Sequence, residues 1–223
     1  MRAAPVHVLA RGSVAAARNA RSLIEDADVL AAAGRTGRAC SLAVLAVEEV
    51  GKAAALATLA ALPENLRAQA PVGRMLEWHQ LKLVAGQMSA VVPFSPPVVG
   101  INLVAAPLSD FADELDVAEA FARDEDRLKQ RGLYVDVDQK GLVREPSEVT
   151  AAQVRGQLDR AERAAWAVSP LLDPGAAAVV AHPGAIAVEF SRALVSAMGE
   201  VGHARTPEAA ADVLMNTAIK IQG

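Results

Sequence analysis

One continuous apolar stretch, Ala39 to Leu62, constrains the fold of this chain more than any other feature. Its residues are apolar on almost every helical face, a pattern typical of a helix that its neighbours enclose. Glu48, Glu49 and Lys52 interrupt it, and each such charge costs about 2.5–3.5 kcal/mol at the centre of a bilayer. We therefore expect a central helix inside a soluble protein, with no membrane association.

The composition favours further helices around this central one. Hydrophobic residues make up 52% of the 223 residues but aromatic residues only 3%, so the core must be built from Ala, Val and Leu. Ala-rich segments with scattered Glu, Arg and Gln favour helix because these side chains lose little freedom there. The prediction is an all-α helical bundle forming a single domain over residues 1–223.

Charge and cysteine content narrow the setting. The net charge of −4 argues against a nucleic-acid coat protein, so any contact with RNA needs a local basic patch. The single cysteine, Cys40, cannot form an intramolecular disulfide and fits a reducing compartment. The N-terminal residues contain no continuous apolar segment of the kind found in secretory signals. These features predict a cytoplasmic protein.

Hydrophobic spacing and helix-breaking residues predict where the elements lie. The first helix is expected to begin after an N-cap at Ser13 and to run to about Gly34. The second runs from about Arg38 to Leu62, where Pro63 stops it. Alternating residues near 133–143 predict a short β-hairpin. Further helices are expected from about Val72 to Met88, from Ser109 or Asp110 to Gly132, from a capping box at Thr150 and Gln153 to about Val168, from Ala185 to Met198, and from Thr206 onward, with an apolar, Pro-rich loop through Pro107.

The charges of the second helix have two interpretations. Glu48 and Lys52 are four residues apart and are expected to pair along the helix, whereas Glu49 is displaced by about 100° and needs another partner. The group is either a structural ion pair or solvated notch, or a functional polar site inside the bundle. Because an unpartnered buried carboxylate is costly, we favour the functional site.

Two further polar clusters follow. Arg74, Trp78, His79 and Lys82 lie on the predicted third helix, where His79 and Lys82 share a face. A single helical His is more often structural than catalytic. The other cluster, Arg123, Arg127, Lys129 and Arg131, precedes Tyr134 and is most simply a solvated helix end, where cations are favoured.

Sequence motifs for metals and cofactors are absent. The four His and one Cys do not form a zinc pattern, and no Glu-x-x-His is present for a di-iron centre. A calcium loop starting at Asp136 has Lys140 and Ser147 at ligand positions. Gly51-Lys52 lacks the Ser or Thr of a P-loop, since Ala53 follows. We expect no metal and no cofactor.

Three segments, in order, resemble the AbiV family of abortive-infection proteins, which belongs to the wider HEPN group of helical domains. The segments are Ser41–Ala53 with its Glu48-Glu49-Val50-Gly51-Lys52 motif, His79–Lys82, and Arg131–Asp136 followed by Gly141 and Pro146. The resemblance covers about residues 14–165 and leaves a C-terminal helical extension of about residues 166–223. It implies a HEPN-like helical bundle.

The resemblance implies a role in anti-phage defence, in which gene expression is halted during infection. HEPN relatives are often metal-independent endoribonucleases that act as dimers and carry an Arg-x4–6-His motif, and Arg74 and His79 fit that spacing. His79 would then be the general acid and base, and Lys82 and Lys52 would stabilise phosphate charge. The remaining assignments are Glu48 and Glu49 as residues that orient these groups, and Arg74, Arg127, Arg131 and Tyr134 as RNA-binding residues.

A second function remains open. A non-catalytic helical module would instead sequester a phage protein or a translation-associated protein, with the charges of the second helix as a structural ion network and the Pro-rich loop as a partner surface. A homodimer is expected in either case, because the enclosed second helix needs cover on every side.

Overall fold

The computed structural model is predominantly helical, as the sequence predicted. Its helices are numbered α1 to α6 in chain order, and its short strands β1 to β4. The residues that the structure describes are 4–68, 94–95, 100–101, 124–137, 141, 143–146 and 149–182.

Helix α1 spans Val6–Ala32 and begins directly after Pro5. The predicted N-cap at Ser13 is therefore wrong. Ser13 is buried inside the helix, and its hydroxyl donates a hydrogen bond of 2.8 Å to the backbone carbonyl of Ala53. A small polar side chain that points into a helix interface can satisfy its hydroxyl across that interface instead of capping.

The end of α1 agrees with the prediction. Gly34 adopts a left-handed φ of +71°, which glycine reaches without steric cost. The N–H groups of Gly34 and Arg35 donate to the carbonyls of Ala31 and Leu30. This pattern is a Schellman motif, and it turns the chain directly into the next helix.

Helix α2 spans Thr36–Ala61 and is enclosed as predicted. Arg38 is its one exposed residue, and all others are buried or partly buried. Pro63 follows the helix and cannot continue it because it has no N–H. In the short α3 that comes next, Glu64–Arg67, the guanidinium of Arg67 donates to the carbonyl of Leu62 at 2.8 Å and so satisfies the end of α2.

Helix α4 is helical over residues 124–133, the part that the structure describes. Helix α5 spans Ala151–Ala167, and its predicted capping box is confirmed. The Thr150 hydroxyl accepts from the Gln153 N–H at 3.3 Å, and the Gln153 side-chain oxygen accepts from the Thr150 N–H at 2.9 Å.

The core forms where α1 and α2 pack against each other, and α5 packs on this pair. A 3₁₀ turn at Ser169–Leu172 and α6, Ala176–Ala181, cover α1 next to α5. Leu171 and Val180 therefore lie in the same hydrophobic cluster as α1 and α2, although they belong to the predicted C-terminal extension. Small side chains dominate this cluster, as the composition implied.

Two short antiparallel pairings are present. β1 (Phe94–Ser95) pairs with β2 (Gly100–Ile101), and β3 (Asp136–Val137) pairs with β4 (Val143–Arg144). The β3–β4 pairing aligns Val137 with Val143 and involves only two residues on each strand. The longer hairpin predicted near residues 133–143 is not supported, because Tyr134 still donates its N–H to Gln130 in helical fashion.

Several predicted features lie outside the described residues. They are the third helix at 72–88, most of the Pro-rich loop, the start of α4, and the helices expected at 185–198 and from 206 onward. Within the described ranges, no helix is both long enough and apolar enough to cross a membrane.

Candidate functional site

The inward face of helix α4 carries charges at positions where a buried face usually carries apolar side chains. Glu125 and Lys129 are four residues apart, so they lie one above the other on this face, and both are buried. Arg127 and Arg131 lie about half a turn away and are exposed. Helix α4 thus presents one buried polar face and one exposed basic face.

Lys129 binds two carboxylates. Its ammonium lies 2.5 Å from Glu48 Oε1 of α2 and 2.9 Å from Asp126 Oδ1 of its own helix. The side chains of Lys129 and Glu48 are only 5% and 3% exposed. The interpretation of Lys129 as part of a solvated helix end is therefore wrong. Its position three residues after Asp126 and opposite α2 places it inside the bundle.

The charge state of Lys129 follows from these contacts. Burial by itself lowers the pKa of the ammonium, but the hydrogen bonds from Glu48 and Asp126 outweigh burial and raise the pKa above its ordinary value. Lys129 is therefore a fixed positive charge near neutral pH. It is suited to holding carboxylates in place and unsuited to proton transfer.

Glu125 makes the matching connection to α5. Its Oε1 accepts hydrogen bonds of 2.8 Å from the Gln157 amide and 2.8 Å from the Arg160 guanidinium. Glu125 and Gln157 are buried, while Arg160 is partly exposed. The inward face of α4 is therefore linked to α2 by one ion pair and to α5 by another.

The backbones of α2 and α4 come unusually close beside these charges. A Cβ added at Gly37 would collide with the carbonyls of Gly132 and Pro146, and one added at Gly132 would collide with the carbonyl of Gly37. The buried Ser41 hydroxyl lies 2.9 Å from the carbonyl of Lys129 and 3.0 Å from that of Gly37. This crossing fixes the distance at which Lys129 can reach Glu48.

Glu49 and Lys52 form a separate, more accessible pair. Lys52 Nζ lies 2.5 Å from Glu49 Oε1, and their side chains are 31% and 17% exposed. The sequence predicted that Lys52 would pair with Glu48, but the structure pairs it with Glu49. Because consecutive helical residues diverge by about 100°, Glu48 faces α4 and Glu49 turns to the side where Lys52 lies.

The end of α4 forms an exposed surface, which we call the α4-end surface. Arg127 and Arg131 lie one turn apart on one face, and Tyr134 follows with 60% of its surface exposed. The Arg127 guanidinium lies 3.7 Å from the carboxylate of Asp124. Three further exposed apolar residues complete the surface: Leu133, Val135 and Val143.

Cys40 is not available as a nucleophile. It is fully buried beneath α4 and α5, and burial, reinforced by the negative charge of Glu125 and opposed by Arg160, raises the pKa of its thiol to about 11. The thiolate is the reactive form of cysteine, so the thiol is inert near neutral pH. Among the residues that the structure describes, no three His, Cys, Asp or Glu side chains form a group that could hold a metal.

The structure places some of the predicted site residues and leaves others unplaced. Arg74, His79 and Lys82 lie outside the described residues. Glu48 and Glu49 are adjacent but bind different cations, and Arg127, Arg131 and Tyr134 lie on the α4-end surface rather than at either pair.

The meeting of α2 with α4 joins two of the three segments on which the family resemblance rests. A protein-family model, HEPN_AbiV (AbiV), matches residues 8–166. The chain belongs to the AbiV family. No curated protein and no solved structure matches the chain.

In this AbiV chain, the Glu-Glu-x-Gly-Lys segment meets the helix that leads into Arg131–Asp136. Sequence reasoning missed Lys129 as the partner of Glu48 and did not consider Glu125. One signal was present for Glu125: it lies three residues before Leu128, a member of the predicted buried stripe of α4. No comparable signal identified which helix would bring the cation to Glu48.

Proposed function

We propose that this AbiV protein is an abortive-infection effector that protects a bacterial population against phage. The match to the family model over residues 8–166 supports this proposal most directly. The protein would act in the cytoplasm, and as a homodimer.

For the chemistry, we propose a metal-independent endoribonuclease. His79 would act as general acid and base on the ribose 2′-OH and the leaving oxygen, because its ordinary pKa suits proton transfer near neutrality. Lys52 and Lys82 would stabilise the developing phosphate charge. The observation that carries this proposal is Lys52 itself: an accessible cation on an otherwise enclosed helix, held in place by Glu49 at 2.5 Å.

The buried pair would support this site from behind. Glu48 and Lys129 are too well shielded to touch RNA, so we assign them a positioning role that fixes α2 against α4. Arg127, Arg131 and Tyr134 would contact the RNA backbone and a stacked base, since arginine binds phosphate and an exposed aromatic ring stacks on any base. Arg74 would contribute to the same binding.

A second candidate function is a binding module without chemistry. The exposed Leu133, Val135 and Val143 around Tyr134 favour it, because an aromatic and aliphatic group edged by arginine is common where proteins bind proteins. In that case, the α4-end surface and the Pro-rich loop would contact a phage protein or a translation-associated protein.

The deciding experiment incubates purified protein with cellular RNA in EDTA and measures phage protection in cells. We expect cleavage by the wild type and no cleavage by His79→Ala, Lys82→Ala, Lys52→Met or Glu49→Gln. Lys52→Met is expected to fold, because a partly exposed pair contributes only about 0–1 kcal/mol. Asp159→Asn on α5 serves as the control variant.

A stable His79→Ala variant that still protects fully would remove the nuclease mechanism. If, in addition, charged substitutions at Val98, Leu103 or Val135 abolish protection, the binding module is the better description. Loss of cleavage together with loss of thermal stability is separated from a catalytic effect by comparing the melting temperature of each variant.

A further inference from the structure

The outer face of α1, opposite the core, carries a pattern that an ordinary solvated helix face does not need. Two valines, Val8 and Val29, lie on this face at opposite ends of the helix and are 45% and 68% exposed. All residues of the face are exposed: Val8, Arg11, Ala15, Arg18, Asn19, Ser22, Asp26 and Val29. We call this set the α1 outer face.

The spacing of the α1 outer face matches that of a helix-pairing seam. Val8, Ala15, Ser22 and Val29 recur every seven residues, so they form one nearly straight line along the helix. The remaining members lie beside this line, in the intervening half-heptads. The valines at the ends are the large apolar members, and the small Ala15 and Ser22 lie between them.

Charge is segregated along α1 in an unusual direction. Every basic residue of the helix, His7, Arg11, Arg18 and Arg21, precedes every acidic residue, Glu25, Asp26 and Asp28. The helix dipole favours the reverse order, with acidic residues near the N-terminus and basic residues near the C-terminus. The arrangement therefore does not serve the stability of α1 by itself.

A second copy in antiparallel orientation matches both patterns. If a two-fold axis passes between Arg18 and Asn19, Val8 comes level with Val29 of the second copy, and Ala15 with its Ser22. Arg11 then comes level with Glu25 and Asp26 of the second copy. Parallel pairing would instead place like charges together at both ends, which disfavours it.

We propose that the α1 outer face is a self-association surface on which α1 of a second copy packs antiparallel. This inference deepens the proposed homodimer and rests on it, since it assigns the contact to one face. A single helix pair of this length, about 30 Å, lies at the small end of specific interfaces. The dimer is therefore weak and sensitive to salt.

Charge exchange tests the surface without disturbing the core. Arg11→Glu alone, and Glu25→Arg/Asp26→Arg alone, place like charges together at both ends of the pair, and each should weaken dimerisation about tenfold or more. An equimolar mixture of the two variants restores opposite charges at both ends and should recover the dimer. Sedimentation equilibrium at low and high salt measures all three samples, with Ser169→Ala as the matched control.

Cysteine cross-linking tests the orientation, because the native Cys40 is buried and unreactive. A mixture of Val8→Cys and Val29→Cys proteins should cross-link, while each alone should not. A monomer at roughly 100 µM, a dimer unaffected by the charge changes, or self-cross-linking of Val8→Cys would each overturn the proposal. None of these readouts depends on RNA cleavage or phage protection, so a failed effector function would leave them unchanged.

Discussion

Lys129 is the residue on which the interior of this protein depends most. One ammonium neutralises Glu48 of the neighbouring helix and Asp126 of its own, at 2.5 Å and 2.9 Å. A buried ion pair is not always more stabilising than an apolar pair of the same volume, but removing one partner leaves the other charge in a low-dielectric interior. Lys129 is thus a structural cation.

Replacing Lys129 with Met should lower the free energy of unfolding by about 3–5 kcal/mol, because Glu48 and Asp126 lose the ammonium while the apolar volume remains. Urea denaturation followed by circular dichroism measures the change. Arg127→Met on the exposed face of the same helix is the control and should change stability by less than about 0.5 kcal/mol. Equal losses in the two variants would contradict the buried role of Lys129.

At the scale of elements, the crossing of α2 and α4 is set by two glycines. Gly37 and Gly132 let the two backbones approach until their carbonyls occupy the space that a Cβ would need. Ser41 sits between the same backbones and bonds to the Lys129 carbonyl. A close approach of this kind requires the absence of side chains rather than any favourable side-chain contact.

Gly37→Ala and Gly132→Ala should each destabilise the protein by about 1–3 kcal/mol, because the new methyl group meets backbone atoms that cannot rotate away. Gly156→Ala is the matched control. Gly156 is a helical glycine of α5 with open space around its Cα, so alanine there should stabilise by up to about 1 kcal/mol through helix propensity. Thermal melts of the three variants provide the comparison, and stabilisation by Gly37→Ala would refute the close crossing.

For the whole molecule, two buried groups make stability fall at alkaline pH. The pKa of Cys40 is raised from 9.0 to about 11, mainly by burial, and that of Lys129 is raised by its carboxylates despite burial. In both cases the folded state holds its proton more tightly than the unfolded state. Each contribution is therefore complete below the unfolded pKa and is lost as the pH rises through the folded pKa.

We expect the free energy of unfolding to decline from about pH 9 upward, with Cys40 contributing about 2–3 kcal/mol of loss by pH 11. Lys129 adds to the decline above its ordinary pKa of 10.5. Urea titrations from pH 7 to 11 measure this dependence. Cys40→Ala should flatten the curve between pH 9 and 11, and an unchanged slope in that variant would show that the thiol ionises normally in the folded protein.

The sequence by itself determined the helical class, the enclosed α2, the capping box of α5 and the family. Each of these rests on local information: helical periodicity, a cap three residues from its partner, or a contiguous motif. The same reasoning failed at Ser13, where a good capping residue lies mid-helix because its hydroxyl reaches Ala53 across an interface.

Only the tertiary structure decided which charges meet. Glu48 is separated from Lys129 by 81 positions in the chain, and no local pattern distinguishes that partner from Lys52, four residues away. The choice follows from the direction in which each side chain leaves its helix and from the glycine crossing that brings α4 close to α2. Helical spacing predicts which residues share a face, but the packing of helices determines what that face contacts.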